Sequence, residues 1–313
     1  MIIREGEPED LDEIIQVLKL SLGEDDFPLS KEIWNYKHNL NPFGKSLVLV
    51  GIENDKIIGV RAFMAWEWQI RESVYMAYRA VDTATHPNHQ GKGVFKKLTQ
   101  AAVKVAKDKG ISLIYNTPND QSRPGYLKMG WEIVGKIEVA LKPNLGAFSL
   151  KSKRRKDYEI IDKYSQNKQL VTLWNKMQVE KKLSFTPKSS EFLYWRYENN
   201  PLQQYEIYKS DKVYLAGYIK KRKNIRELRI SESLYLNSNG LKELKKILKT
   251  WCKKFNAHII TYSPNHLVFD LPYLRGDFGP ILTFRYLNLS EKNYKKFKGI
   301  KNWNNSIGDL ELF

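Results

Sequence analysis

Cysteine is nearly absent from this sequence, and so is any long apolar run. Cys252 is the only thiol in 313 residues, so no internal disulfide can form, and a reducing, cytoplasmic setting is expected. No uninterrupted apolar stretch approaches the roughly 20 residues of a membrane span. The acidic opening Met1-Ile2-Ile3-Arg4-Glu5-Gly6-Glu7 lacks the basic-then-apolar pattern of a secretory signal. Histidine is scarce as well. His86 and His89 have no Cys, Asp or Glu close by in sequence to complete a ligand set, which predicts solvated loop histidines and no metal. Net charge is missing from the first half: Lys and Arg balance Asp and Glu over residues 1–150, so the formal +17 belongs to residues 151–313.

What the chain does have is a glycine-bearing loop, Gln90-Gly91-Lys92-Gly93, between an apolar strand and an amphipathic helix. Tyr78 to Thr85 reads as the strand, which Pro87 ends by removing a backbone donor. Val94, Leu98, Ala101, Ala102 and Val105 recur at helical spacing, so a helix is expected from about Gly93 to Lys109. Two residues without a Cβ let the backbone turn and come close to a ligand. The free amides of the helix's first turn, reinforced by its dipole, then make an anion site. Lys92, Lys96 and Lys97 add positive charge beside it. A P-loop ends in Gly-Lys-Ser/Thr, whereas this run continues through Gly93 to Val94 with no hydroxyl placed for magnesium. A Rossmann fingerprint needs a third glycine and an acidic residue ending a second parallel strand, and neither is evident.

Read as Gln90, Gly93 and Phe95, the loop resembles the Gln/Arg-x-x-Gly-x-Gly/Ala pyrophosphate loop of the GNAT N-acetyltransferases, with Phe95 as the departure. A second signature follows in that family's order: the short strand Ser112 to Asn116, then Asn119, Tyr126 and Met129-Gly130-Trp131. The resemblance spans roughly residues 1 to 142. It includes Ile2-Ile3-Arg4 as a strand, Glu9 to Leu22 as a helix, and strands Ser46 to Glu53 and Lys56 to Trp68 joined by the turn Asn54-Asp55. The resemblance implies acetyl-CoA as cosubstrate and a primary amine attacking the thioester directly. Carried over by position, Thr83, Ala84 and Thr85 flank the pantetheine and thioester, while Gln90, Gly91, Lys92, Gly93, Val94 and Phe95 surround the pyrophosphate. Asn119 joins the same cofactor set, and Tyr126 is the expected general acid for the leaving thiolate. Backbone N–H groups near Ala84 are placed to stabilise the oxyanion. Asp82 is the candidate base. Glu67, Glu72 and the C-terminal carboxylate of Phe313 are alternatives, and many relatives use no dedicated base. Trp66 and Trp68 share one strand face and are expected in the core or along the acceptor cleft.

The composition shifts at the basic run Lys151-Ser152-Lys153-Arg154-Arg155-Lys156, which reads as a solvated linker rather than a nucleic-acid patch. Beyond it, helices are expected near 170–182, 189–197 and 240–255, and strands near 205–208, 212–219, 225–235, 258–262 and 280–287. That order resembles a second, degenerate GNAT lobe and, more remotely, the FemABX aminoacyltransferases and N-myristoyltransferases. The expected fold class is therefore α/β with a mixed sheet. Residues 1–148 form a GNAT acetyl-CoA-binding catalytic domain, and residues 149–313 a basic GNAT-like lobe shaping the acceptor site. The leading function is acetyl transfer to the amine of a small molecule or amino sugar. FemABX-like aminoacyl transfer and non-catalytic acyl-CoA binding are the alternatives. The positive field suits an anionic acceptor, or serves solubility alone; Glu24-Asp25-Asp26 suits a cationic amine instead.

Overall fold

The computed structural model describes residues 1–22, 30–144, 167–269 and 273–310. The acidic Glu24-Asp25-Asp26, the basic run 151–156, the expected boundary at 148/149 and the Phe313 carboxylate lie outside those residues. In chain order the first elements are β1 (Ile2–Glu5), α1 (Leu11–Leu22), α2 (Lys31–His38), β2 (Leu47–Glu53), β3 (Lys56–Ile70) and β4 (Ser73–Thr85). There follow α3 (Val94–Asp108), β5 (Leu113–Asn116), α4 (Arg123–Lys128), β6 (Glu132–Lys136), β7 (Val139–Pro143), α5 (Asn167–Lys181), β8 (Ser184–Phe185), α6 (Ser190–Leu193) and β9 (Glu206–Lys209). The last are β10 (Val213–Arg222), β11 (Ile225–Tyr235), α7 (Ser238–Lys254), β12 (Ile259–Tyr262), β13 (Leu274–Gly276), β14 (Ile281–Tyr286), α8 (Glu291–Lys298) and α9 (Ile307–Leu310). The mixed α/β class read from the sequence holds.

The chain divides into two compact units. The first comprises Met1–Trp68, Ser73–Gly135 and Pro280–Ile300, so it takes in a late segment that sequence reading grouped with the second half. Its strands run in the order β1-β2-β3-β4-β5-β14-β6. The early strands pair antiparallel, β4 and β5 pair parallel, and β14 enters antiparallel to β5 with Phe284 opposite Tyr115. Helix α3 buries Val94, Leu98, Thr99, Ala102, Val103 and Ala106. Ala101 and Val105, expected on that face, are only half-buried, which is a modest rotation of the buried stripe. Trp66 and Trp68 are buried core residues, both set edge-on to Tyr115. Helix α2 is absent from the sequence reading. It is capped by Ser30, whose hydroxyl accepts from the Ile33 amide.

The second unit comprises Gln69–Glu72, Lys136–Gly279 and Lys301–Phe313. Its strands run β13-β7-β12-β11-β10-β9, with β11 and β12 parallel and the remaining pairs antiparallel. Leu244, Ile247, Leu248 and Trp251 of α7 lie in its core with Leu215, Leu228 and Ile230 of the sheet. A fully buried charge cluster is set into this unit. Lys188 Nζ lies 2.8 Å from Glu232 Oε2 and 2.6 Å from Asp309 Oδ1, and all three side chains are shut off from solvent.

Candidate active site

Strand β4 and the strand beside it set the geometry. The pairing of β4 with β5 runs only from Ala77 opposite Leu113 to Arg79 opposite Tyr115, and β5 ends at Asn116, so β4 from Ala80 onward runs on without a β5 partner. The glycine loop follows directly. Pro87–His89 forms one 3-10 turn, and the chain then crosses Gln90-Gly91-Lys92-Gly93 into α3. Gly91 and Gly93 both take left-handed backbone, φ 75° and 77°, and Gly93 is the N-cap of α3. A Cβ at either position would meet no atom within 4 Å, so open space fronts the backbone here. Gln90, Gly91, Lys92, Gly93, Lys96 and Lys97 are exposed, whereas Val94 is buried against the sheet. The structure thus brings an exposed amide-bearing turn, three lysines and the β4 segment beyond β5 to one end of the sheet.

Within β4, Thr83 Oγ1 donates to the Val60 carbonyl at 3.2 Å, Ala84 is buried, and the Thr85 carbonyl accepts from Gln90 Nε2. Asp82 breaks the strand's regularity with a φ of 28°, a conformation that non-glycine residues seldom adopt. One oxygen of its carboxylate holds two partners. Oδ2 lies 2.5 Å from Lys37 Nζ and 2.8 Å from His38 Nε2, and His38 Nδ1 contacts Ser46 Oγ at 2.8 Å. Burial alone would push the Asp82 carboxyl up, but the Lys37 charge and the His38 hydrogen bond outweigh it and hold the group well below the usual carboxylate range. Burial also lowers His38 and keeps its ring neutral, against the pull of Asp82. Of the alternative bases, Glu67 is half-buried with its carboxyl raised by burial, and Glu72 is exposed.

Asn119 lies just before α4 and Tyr126 lies within it. Asn119 is exposed and organises the start of α4: its Oδ1 accepts from the Ser122 amide at 2.9 Å and from Ser122 Oγ at 2.8 Å. Tyr126 is buried, edge-on to Trp131 at 5.1 Å and to Phe95 at 5.7 Å. Its phenol oxygen accepts a hydrogen bond from Arg61 Nη1 at 2.8 Å. Arg61, Lys37 and His38 were not singled out from the sequence. Arg61 stands inside an apolar strand, and a charge buried there is costly unless it is paired and hydrogen-bonded. His86 and His89 contact each other edge-on, and His89 faces Glu53; among the described residues no group of three or more His, Cys, Asp or Glu could hold a metal.

The segment that carries this strand pair and the glycine-led helix N-terminus has counterparts among known proteins. Residues 2–134 match the family model described as acetyltransferase (GNAT) domain. That match covers less than half of the chain, and it likens residues 2–134 to the GNAT acetyltransferases. Among solved structures it is similar to a conserved protein of unknown function from Enterococcus faecalis, described as a probable N-acyltransferase. Identity is 13%, the match covers 92% of this chain and 73% of that one, and the TM-score is 0.65. A GCN5-related N-acetyltransferase from Anabaena variabilis matches at 14% identity over 92% of this chain and 73% of its own, with a TM-score of 0.64. Eis1 from Mycobacterium abscessus matches at 11% identity over 92% and 74%, with a TM-score of 0.57. At such identities the likeness is one of fold, and it extends over most of the chain. No curated protein matches the sequence.

Proposed function

We propose that this chain transfers an acetyl group from acetyl-CoA to a primary amine of a small molecule or amino sugar. The observation that carries the reading is the run of β4 beyond its pairing with β5, next to a loop whose left-handed glycines front open space. In this reading Thr83, Ala84 and Thr85 line the pantetheine arm. Gln90, Gly91, Lys92, Gly93, Val94 and Phe95 cradle the pyrophosphate, with the α3 amides and lysines supplying positive potential. Asn119 holds the entry to α4 in place. Acetyl-CoA supplies an activated acyl thioester when bound.

Tyr126 is the general acid. Because its oxygen accepts from Arg61, its own hydrogen is free to serve a leaving sulfur. Asp82, expected as the base, is better suited to act as a fixed charge on β4, since a carboxylate already held by Lys37 and His38 is a weak proton acceptor. The test is a thiol-release assay with acetyl-CoA and a panel of amines. Release with at least one amine is expected, and Tyr126→Phe should lower kcat with little change in the KM for acetyl-CoA. Wild-type turnover in that variant would remove the acid assignment. Tight acetyl-CoA binding without release across the panel would favour a non-catalytic acyl-CoA-binding protein.

A further inference from the structure

Arg61 is completely buried on β3, yet among the described residues no carboxylate pairs with it. Its guanidinium carbon lies 4.6 Å from the ring centroid of Phe63, 5.2 Å from that of Tyr126 and 5.7 Å from that of Phe95. Nη1 donates to Tyr126 Oη, while Nε and Nη2 find no hydrogen-bond partner. Three aromatic faces attract a cation, but they do not replace water or a carboxylate, so a guanidinium kept here is costly. Among the described residues its single polar contact is with one phenol oxygen. A cation so placed gains most when that oxygen becomes negative.

We propose that Arg61 is a positioning residue that lets Tyr126 carry one proton from the acceptor nitrogen to the departing sulfur, an inference that rests on the general-acid reading of Tyr126. The hydrogen bond from Nη1 occupies one lone pair of Oη and turns the phenol hydrogen away from the guanidinium. As the amine lone pair forms the new C–N bond and the C–S electron pair leaves with sulfur, the Tyr126 proton passes to that sulfur. The phenolate left behind faces Arg61 as its counter-ion. It then takes the proton that the acylated nitrogen must lose, and Tyr126 is restored. One proton has moved from nitrogen to sulfur, no second base is consumed, and the engagement of Asp82 by Lys37 and His38 is no obstacle to turnover.

The experiment is a double-mutant cycle on the full chain, read by thiol release with an amine that the wild type accepts. Arg61→Met should lower kcat about 10–100-fold, the range for losing a hydrogen bond to a charged group, with the KM for acetyl-CoA within about twofold. In the Tyr126→Phe background the same substitution should cause no further loss, because Arg61 acts through the phenol. Arg61→Lys should recover most of kcat. Arg61→Gln, which keeps a neutral donor, should not, and it completes the cycle if Arg61→Met melts below the assay temperature. A slow Tyr126→Phe enzyme combined with wild-type kcat in Arg61→Met and Arg61→Gln, or with additive losses in the double variants, would overturn the role of Arg61 alone. Wild-type kcat in Tyr126→Phe would instead overturn the acid assignment on which it rests.

Discussion

Gly59→Ala tests whether the seat of α3 on the sheet governs the glycine loop. A Cβ at position 59 would lie 2.6 Å from Val94 Cγ1 and 2.8 Å from Leu98 Cδ1, and 3.5 Å from the Ala84 carbonyl oxygen. Ordinary carbon contacts lie at about 3.5–4.0 Å, so both methyl groups must retreat by roughly 1 Å. Val94 and Leu98 are buried, and Val94 is the first residue of α3, directly after the N-cap Gly93. The helix cannot back away without carrying the loop with it. Overpacking of this kind costs about 1–3 kcal/mol, offset by up to about 1 kcal/mol from the reduced freedom of the unfolded chain. A net loss near 1–2 kcal/mol lowers the melting temperature by about 2–8 °C for a unit of this size. Gly110→Ala is the control. It lies just past the far end of α3 at φ 77° with nothing within 4 Å of its Cβ, so it loses stability through backbone strain alone. Circular-dichroism melts with and without acetyl-CoA, with calorimetric titration of acetyl-CoA, should show both variants destabilised and only Gly59→Ala weakened in binding. Equal affinity in the two variants, or a Gly59→Ala protein that melts with the wild type, would refute the coupling.

The buried charges of both units yield further predictions. Lys188→Met removes the buried ammonium that Glu232 and Asp309 share and should cost about 3–5 kcal/mol in urea unfolding; a loss under 1 kcal/mol would show that the cluster is not held by that charge. Acid should destabilise the chain in two stages. His38 is lowered by burial in the folded state, so its contribution is present above about pH 6.5 and declines as pH falls below that value. Burial pushes Glu232 up, but Lys188 and His266 outweigh it and hold the carboxyl at about 2. Its contribution is therefore complete above about pH 4.3 and is lost as pH falls toward 2, and Asp82 follows the same sign. Lys188, raised by Asp309 and Glu232 against the pull of burial, keeps its contribution until pH exceeds the ordinary lysine value of about 10.4. A melting temperature that stays constant from pH 7 to pH 3 would contradict these assignments.

How much could be read from the sequence follows from which contacts are local. The strand, glycine loop and helix around Gly93 were legible because turn, cap and buried stripe lie within one run of chain, and α3 ends within a residue of its expected limit. Tyr126 was legible only through its spacing from Asn119. Its partner was not, because Arg61 precedes it by 65 positions and meets it only when β3 and α4 have packed. The Asp82 ion pairs were hidden for the same reason: Lys37 and His38 sit on α2, a short helix that the sequence reading passed over. The first unit's use of β14 was the least legible feature. Nothing in the local pattern of Ile281–Tyr286 distinguishes a strand that pairs with β5 from one that stays with its sequence neighbours.

Phe95 is the one departure from the loop pattern that this chain resembles. The family pattern has a small residue at that position, and here a ring projects from the first turn of α3 toward α4. The facing helix carries a glycine there: a Cβ at Gly125 would stand 3.3 Å from Phe95 Cε1, closer than an ordinary carbon contact. Gly91 and Gly93 keep their left-handed backbone beside it. The substitution acts one step inside the loop, where Phe95 meets Tyr126 edge-on and completes the aromatic surround of Arg61. What sets this chain apart from the motif is therefore the setting of the Tyr126 hydroxyl rather than the backbone of the glycine turn.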